Sequence, residues 1–322
     1  MSQLRDRLET HQVAVYFCTV IAAAVLAIAV PGTGELEPFI NPALAFMLFV
    51  TFLQVPLAEL GRAFARVRFL GALLVANFLA IPALVALLVQ LLPAEPMIRL
   101  GVLLVLLTPC IDYVVTFSHL GRADSKLLLA ATPALLILQM LLLPAYLRML
   151  LGHAAEDLVR LGPFVHAFVW LIAVPLAFAA FMQLWCKRSA AAGRLASLLG
   201  LLPVPATALV LFIVVAAVLP QLGAARDAAY LAIPVYVAFA VAAPILGWGV
   251  ARVFRLEASA GRAVAFSAAT RNSLVVLPLA LAVPGAIPVL PAIIVAQTLV
   301  ELVGALAYVR LLPRLGANRN AA

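Results

Sequence analysis

Apolar residues run through this chain in long stretches that keep no polar face, unlike the one-sided stripe of a soluble helix or the alternation of a half-buried strand. The stretches cover 13–30, 41–60, 69–92, 100–119 and 127–150, then 164–186, 198–219, 229–251, 263–283 and 289–309, separated by charged or Pro/Gly-containing breaks. Each approaches the roughly 20 residues that span a hydrocarbon core of about 30 Å. Inside lipid a backbone must satisfy its own hydrogen bonds, so runs of this length are helices, and their Leu and Ala content agrees. The pattern predicts an all-α membrane protein with ten transmembrane helices in two sets of five.

Because each set holds five spans, the second starts on the opposite side of the membrane from the first. Two halves of opposite topology form an inverted-repeat transporter, and here the five-helix repeats are residues 1–151 and 152–322. A short echo accompanies them: Asp112-Tyr113-Val114-Val115 in the fourth span against Ser273-Leu274-Val275-Val276 in the ninth. Loop charge then sets the orientation. With the N-terminus inside, 16 basic residues are cytoplasmic: Arg5, Arg7, Arg62, Arg66, Arg68, Arg122, Lys126, Lys187, Arg188, Arg194, Arg252, Arg255, Arg262, Arg310, Arg314 and Arg319. Four lie outside: Arg99, Arg148, Arg160 and Arg226. The positive-inside rule therefore puts both termini in the cytoplasm.

Composition narrows the class. Of 322 residues 66% are hydrophobic and 11% charged, with a mean hydropathy of +1.19, so the apolar surface needs lipid as its solvent and leaves no segment for a sizeable soluble domain. A net charge of +8 raises the question of nucleic acid, but the basic residues sit in short loops and read as topology signals. The expected partners are the lipid bilayer and a small solute, with no nucleic acid. Met1 to His11 is charged but leads into a full-length span without a cleavage pattern, so 13–30 reads as a retained first helix of a bacterial inner-membrane protein. Cys18, Cys110 and Cys186 lie in or at the edge of apolar spans and offer neither a disulfide framework nor a CxxC metal site.

An ionisable side chain inside a span costs at least about 2.5–3.5 kcal/mol on insertion scales, so each needs a partner or a water-filled cavity. Asp112 lies in the fourth span within Thr108-Pro109-Cys110-Ile111-Asp112-Tyr113, Arg271 in the ninth within Thr270-Arg271-Asn272-Ser273, and Glu301 in the tenth after Gln297 and Thr298. Pro109 lacks a backbone donor and favours a helix break there. The break either frees backbone groups to coordinate a solute or is a kink that neighbouring helices satisfy. Arg271 and Asn272 either hold an anion or polar solute, or Arg271 neutralises Asp112 in a buried ion pair. Glu301 is either a proton carrier or a hydrogen-bonded packing residue. Cys110 is either a soft ligand for a thiophilic solute or a small apolar residue. Cys18 and Cys186 lack polar neighbours of this kind. His11, His119, His153 and His166 show no metal-ligand spacing. No phosphate-binding loop, GxSxG or HExxH pattern occurs, so the sequence supports neither an ATP-driven pump nor a hydrolase, and no cofactor is expected.

The stretch Pro56-Leu57-Ala58-Glu59-Leu60-Gly61-Arg62 through Asn77 and Pro82, and the run from Cys110-Ile111 to Leu120-Gly121-Arg122-Ala123-Asp124-Ser125, resemble the arsenical-resistance permeases of the bile acid:sodium symporter superfamily. The resemblance implies a core domain from spans three to five and eight to ten, a panel domain from spans one, two, six and seven, and unwound middles of spans four and nine that cross to form the site. It places Cys110 where the arsenical permeases carry the cysteine tied to transport of trivalent arsenic. Two departures stand out. The ninth-span acidic residue of those permeases aligns with Leu274, and the region that holds sodium in sodium-coupled relatives reads Ser267 to Thr270, then Arg271. A fixed cation there opposes sodium by Coulomb repulsion, which leaves Asp112 or Glu301 for proton exchange. The expected function is export of arsenite or a related trivalent metalloid by a secondary transporter, with binding residues Thr108, Cys110, Asp112, Arg271, Asn272 and Ser273. The alternative is an organic-anion symporter, and a non-transporting membrane sensor or scaffold is the reading from another class.

Overall fold

Lipid leaves helices as the means of satisfying the backbone, and helices are what form. The structure, a computed structural model, describes residues 2–54, 66–111, 113–152, 161–221 and 225–316. Asp112 and the 56–62 motif lie outside the described residues. The helices are α1 (Ser2–Ala29), α2 (Ile40–Phe52), α3 (Val67–Leu91), α4 (Pro96–Leu106), α5 (Tyr113–Leu120), α6 (Ser125–Leu151) and α7 (Leu161–Phe168). They continue with α8 (Val174–Cys186), α9 (Ala190–Leu199), α10 (Pro203–Val218), α11 (Arg226–Val253), α12 (Ala258–Ala269), α13 (Ser273–Leu281) and α14 (Val289–Leu311). Among the described residues there is no strand, and extended backbone pairs in one isolated antiparallel bridge between Pro109 and Arg271.

Among the described residues, six helical stretches are long and apolar enough to cross a membrane: Thr10–Ala29, Thr33–Phe52, Val67–Leu91, Ser125–Leu151, Arg226–Val253 and Val289–Arg314. α9 and α10, bent by 45° at a short break, make a seventh if they form one span. The chain is thus a multi-pass membrane protein, and several of the ten expected spans are not single regular helices, 69–92 with its π-turn at Ala76–Ala80 among them. Residues 100–119 divide between α4 and α5, and 263–283 between α12 and α13; 164–186 runs through α7, a π-turn at Val169–Ala173 and α8.

The chain divides into two compact units. The first comprises Met1–Val55, Glu156–Ala229 and Leu274–Val295. In it α1 lies along α10, with Ala23 and Ala216 fully buried at their contact beside Val215, and Val20, Leu36 and Phe212 closing round them. Alanines at the contact let the two backbones approach closely, the usual basis of helix association in lipid. α2 packs between α8 and α10, and its C-terminal carbonyls are not left bare. Gln183 of α8 donates from Nε2 to the carbonyls of Phe52 (3.3 Å) and Leu53 (3.2 Å), which caps the helix end.

The second unit comprises Pro56–Ala155, Tyr230–Ser273 and Ala296–Ala322. α12 runs through it against α3, α5 and α6. Close approach of α11 to α12 depends on Gly247, where a Cβ would stand 2.6 Å from the Ala268 Cβ and 3.0 Å from the Ala265 Cα. Prolines inside two long helices set up a matched pair of caps. Pro82 in α3 removes the donor that the Phe78 carbonyl would have used, a π-turn forms at Ala76–Ala80, and the Tyr146 hydroxyl of α6 donates to Phe78 O at 2.5 Å. Pro244 in α11 does the same to Ala240, and the Tyr308 hydroxyl of α14 donates to Ala240 O at 2.6 Å. Both bonds join residues 68 apart, and the second set follows the first at a fixed offset, since 240 − 78 and 308 − 146 both equal 162.

Candidate functional site

The breaks in 100–119 and 263–283 meet within the second unit, and their backbones satisfy each other. Cys110 N–H donates to the Thr270 carbonyl (3.2 Å) and Asn272 N–H donates to the Thr108 carbonyl (2.9 Å). This is a reciprocal pair around the bridge of Pro109 and Arg271. Local chemistry explains why each helix stops here. Pro109 has no N–H and disfavours helical backbone at Thr108, while the Thr108 hydroxyl turns back to the carbonyls of Leu104 and Val105, both at 3.0 Å. The second break contains no proline. Thr270 is extended, at φ −105° and ψ 137°, and its hydroxyl donates to Phe266 O at 2.9 Å. The two threonines hold the same place at the offset of 162 residues (108 and 270), so the Asp112–Ser273 echo lies one residue away from the register that the hydrogen bonds follow.

Arg271 is the largest fully buried side chain, and its guanidinium closes both broken helices. Nη2 donates to Ser267 O (2.6 Å) and Ala268 O (2.7 Å) at the end of α12, and Nη1 to Leu106 O (3.3 Å) at the end of α4. Asn77 Oδ1 of α3 accepts from Nη2 at 2.9 Å, and the guanidinium carbon lies 5.4 Å from the centre of the Phe239 ring. A cation at two helix C-termini meets the partial negative charge and the unpaired carbonyls that such ends carry. The ring face adds a cation–π contact. Asn77 is held in turn, donating to Leu73 O (3.1 Å) and to the Ser267 hydroxyl (3.0 Å).

An antiparallel bridge leaves the amides of its two central residues pointing outward. Proline has no amide to place, whereas Arg271 N–H donates to Glu301 Oε2 of α14 at 2.7 Å. The same oxygen accepts from Gln297 Nε2 at 2.5 Å, and Oε1 accepts from the Tyr113 hydroxyl of α5 at 2.5 Å. The Ser273 hydroxyl is bonded to Gln297 Oε1. A polar chain thus runs from Ser273 through Gln297 and Glu301 to Tyr113.

Thr108, Cys110, Arg271, Asn272, Ser273 and Glu301 are therefore in one buried neighbourhood, and Pro109 stands at the centre of the crossing. Cys110 is fully buried, and Cys18 is exposed. Among the described residues the carboxylate next to Arg271 is Glu301; the expected pairing with Asp112 lies outside them. Two donors at the crossing, Arg271 Nε and Asn272 Nδ2, are buried without a hydrogen-bond partner, as is the amide of Gln139 in α6. Sequence reasoning assigned nothing to Asn77, Tyr113, Gln139 or Tyr236. Their polarity within apolar spans was the available signal.

The model of the family described as "Sodium Bile acid symporter family" matches residues 41–225, more than half of the 322. None of the curated proteins matches the chain.

Proposed function

The chain belongs to the sodium bile acid symporter family, whose members are membrane transporters, and from this premise we propose that it exports arsenite or a related trivalent metalloid in exchange for protons. The observation that carries the reading is Cys110 at the crossing of two broken helices, in sequence contact with Pro109 and tied by its amide to Thr270. Trivalent arsenic at neutral pH is the uncharged trihydroxide. A thiol exchanges one As–O bond for an As–S bond and releases one water, which suits a soft, deprotonatable ligand. Arg271 Nε and Asn272 Nδ2 are the buried donors on offer to the remaining oxygens. Thr108, Ser273 and Asp112 complete the proposed binding set, and Asp112 or Glu301 carries the proton.

The wider architecture belongs to the same proposal. Ten spans form two inverted five-helix repeats, 1–151 and 152–322, with a core of spans three to five and eight to ten and a panel of spans one, two, six and seven. The recurrence of Pro82 with Tyr146 as Pro244 with Tyr308, and of Thr108 as Thr270, supports it. The excess of basic residues in alternate loops supports a bacterial inner-membrane protein with both termini cytoplasmic. Sodium is not the coupling ion in this reading. The oxygen cluster of Leu106, Ser267, Ala268 and Asn77 already surrounds a fixed guanidinium, which repels a second cation.

A second reading has its own observation: two buried, unpartnered donors also fit a carboxylate, so an organic anion is the competing cargo. Cells lacking their own arsenic efflux decide between them. With this protein expressed they should accumulate less arsenite and survive higher doses. Cys110→Ser should abolish the effect, while Cys18→Ser and Cys186→Ser retain most of it. Full protection by Cys110→Ser at equal expression ends the metalloid reading.

A further inference from the structure

Glu301 sits in a hydrogen-bond arrangement that accepts two protonation states with the heavy atoms in place and only hydroxyl protons turning. As a carboxylate it takes three donors: Tyr113 O–H on Oε1, and Arg271 N–H and Gln297 Nε2–H on Oε2. A second acceptor for the Tyr113 hydroxyl lies in reach, the Arg271 carbonyl at 3.2 Å. A hydroxyl has one proton to give and lone pairs to receive. When Oε1 carries a proton, that proton is donated to the Tyr113 oxygen and the tyrosine proton turns to the Arg271 carbonyl. Oε2 remains an acceptor for its two donors throughout. The change in charge is thereby passed to the backbone of the helix crossing as the gain or loss of one hydrogen bond.

Beside this group lies a cavity lined by Leu106, Tyr236, Phe239, Ala269, Gln297 and Glu301, open to a water-sized sphere over about 10 Å³. That is room for one water. Tyr236 of α11 is 1% exposed, and its hydroxyl has no hydrogen-bond partner. A buried hydroxyl left so is destabilising, and one water between it and a carboxylate removes that cost. Glu301 is bonded by Tyr113 from α5, Arg271 from the crossing and Gln297 from α14 itself, and shares the cavity lining with Tyr236 from α11 and Tyr308 from α14.

We infer that the cavity between Tyr236 and Glu301 binds a single water through which Glu301 takes up and releases its proton, with the Tyr113 hydroxyl switching between Glu301 and the Arg271 carbonyl. The step balances as hydronium plus carboxylate giving carboxylic acid plus water. This rests on the proton-exchange reading above and names the residues that perform it.

The test is infrared difference spectroscopy on the purified protein in lipid nanodiscs, with no solute present, between alkaline and acid pH. A carboxylic C=O band should grow on acidification, be missing in Glu301→Gln, and move to a different wavenumber in Tyr113→Phe. In Tyr236→Phe the band should persist but shift more slowly after transfer to deuterated buffer. A slowing of about tenfold is expected, the rate equivalent of about 1.4 kcal/mol for one lost hydrogen bond. Absence of an acid-induced band in the parent, its survival in Glu301→Gln, or unchanged exchange in Tyr236→Phe overturns the inference. Because no solute is used, that failure is separate from failure of metalloid export, which the cell assay reads.

Discussion

Removing Arg271 should cost more stability than removing any other single polar side chain of the crossing. The substitution is Arg271→Gln, which keeps a polar group but cannot reach both helix ends. Four hydrogen bonds are lost, to Leu106 O, Asn77 Oδ1, Ser267 O and Ala268 O. At about 1.5–3 kcal/mol for each bond to a charged group the gross loss is about 6–12 kcal/mol. Relief from burying a cation returns several kcal/mol of this, which leaves a net loss of about 3–5 kcal/mol. At roughly 2 °C per kcal/mol in a large domain, the midpoint falls by about 6–10 °C. Arg271→Lys should fall between parent and Gln variant, because an ammonium donates from one point and cannot fork between two helix ends. The assay is thermal unfolding in nanodiscs at a single scan rate, in a background carrying Cys18→Ser and Cys186→Ser, followed by the reaction of a thiol-sensitive dye with Cys110, which is buried until the crossing opens. An Arg271→Gln protein that melts with the parent refutes the double-cap account.

Three further outcomes follow from the same geometry. Tyr146→Phe and Tyr308→Phe each uncover the carbonyl that a helix proline has orphaned, so each should lose about 1–3 kcal/mol in the same melt. Equal losses are expected from the two matched positions, and no loss from either argues against the caps. If Asp112 also neutralises Arg271, a cycle of Arg271→Gln, Asp112→Asn and the double variant should show a coupling term of about 0.5–3 kcal/mol; additive losses exclude the pair. Arg271→Gln should impair transport as well, because the crossing loses its clamp.

Much of this arrangement was legible in the residues, and the remainder depended on distances that no sequence pattern carries. Long apolar runs announced an all-helical membrane protein, and Pro109 announced the first break because its ring and missing amide act locally. The second break, at 270–272, has no such local cause. It is held by reciprocal bonds from Thr108 and Cys110, over 150 residues away, and by the reach of Arg271. The role of Arg271 was legible only as an expensive charge in need of a partner. That its partners are carbonyls at two helix ends and Asn77, while its amide goes to Glu301, follows from tertiary placement. Tyr146 and Tyr308 were readable in principle: a proline in a span orphans the carbonyl four residues earlier, and the two Pro–Tyr sets stand at the same spacing. The echo of Asp112 with Ser273 pointed to the two spans that break and meet, one residue out of the register of their hydrogen bonds.

If a metalloid crosses at Cys110 against protons and without sodium, uptake of arsenite by everted membrane vesicles reports it. In potassium buffer free of sodium, an inward-acid pH gradient should drive arsenite into vesicles bearing the parent protein. Uptake should stop when the gradient is collapsed, and be absent with Cys110→Ser. Uptake that requires sodium, ignores the pH gradient, or proceeds unchanged with Cys110→Ser contradicts the account.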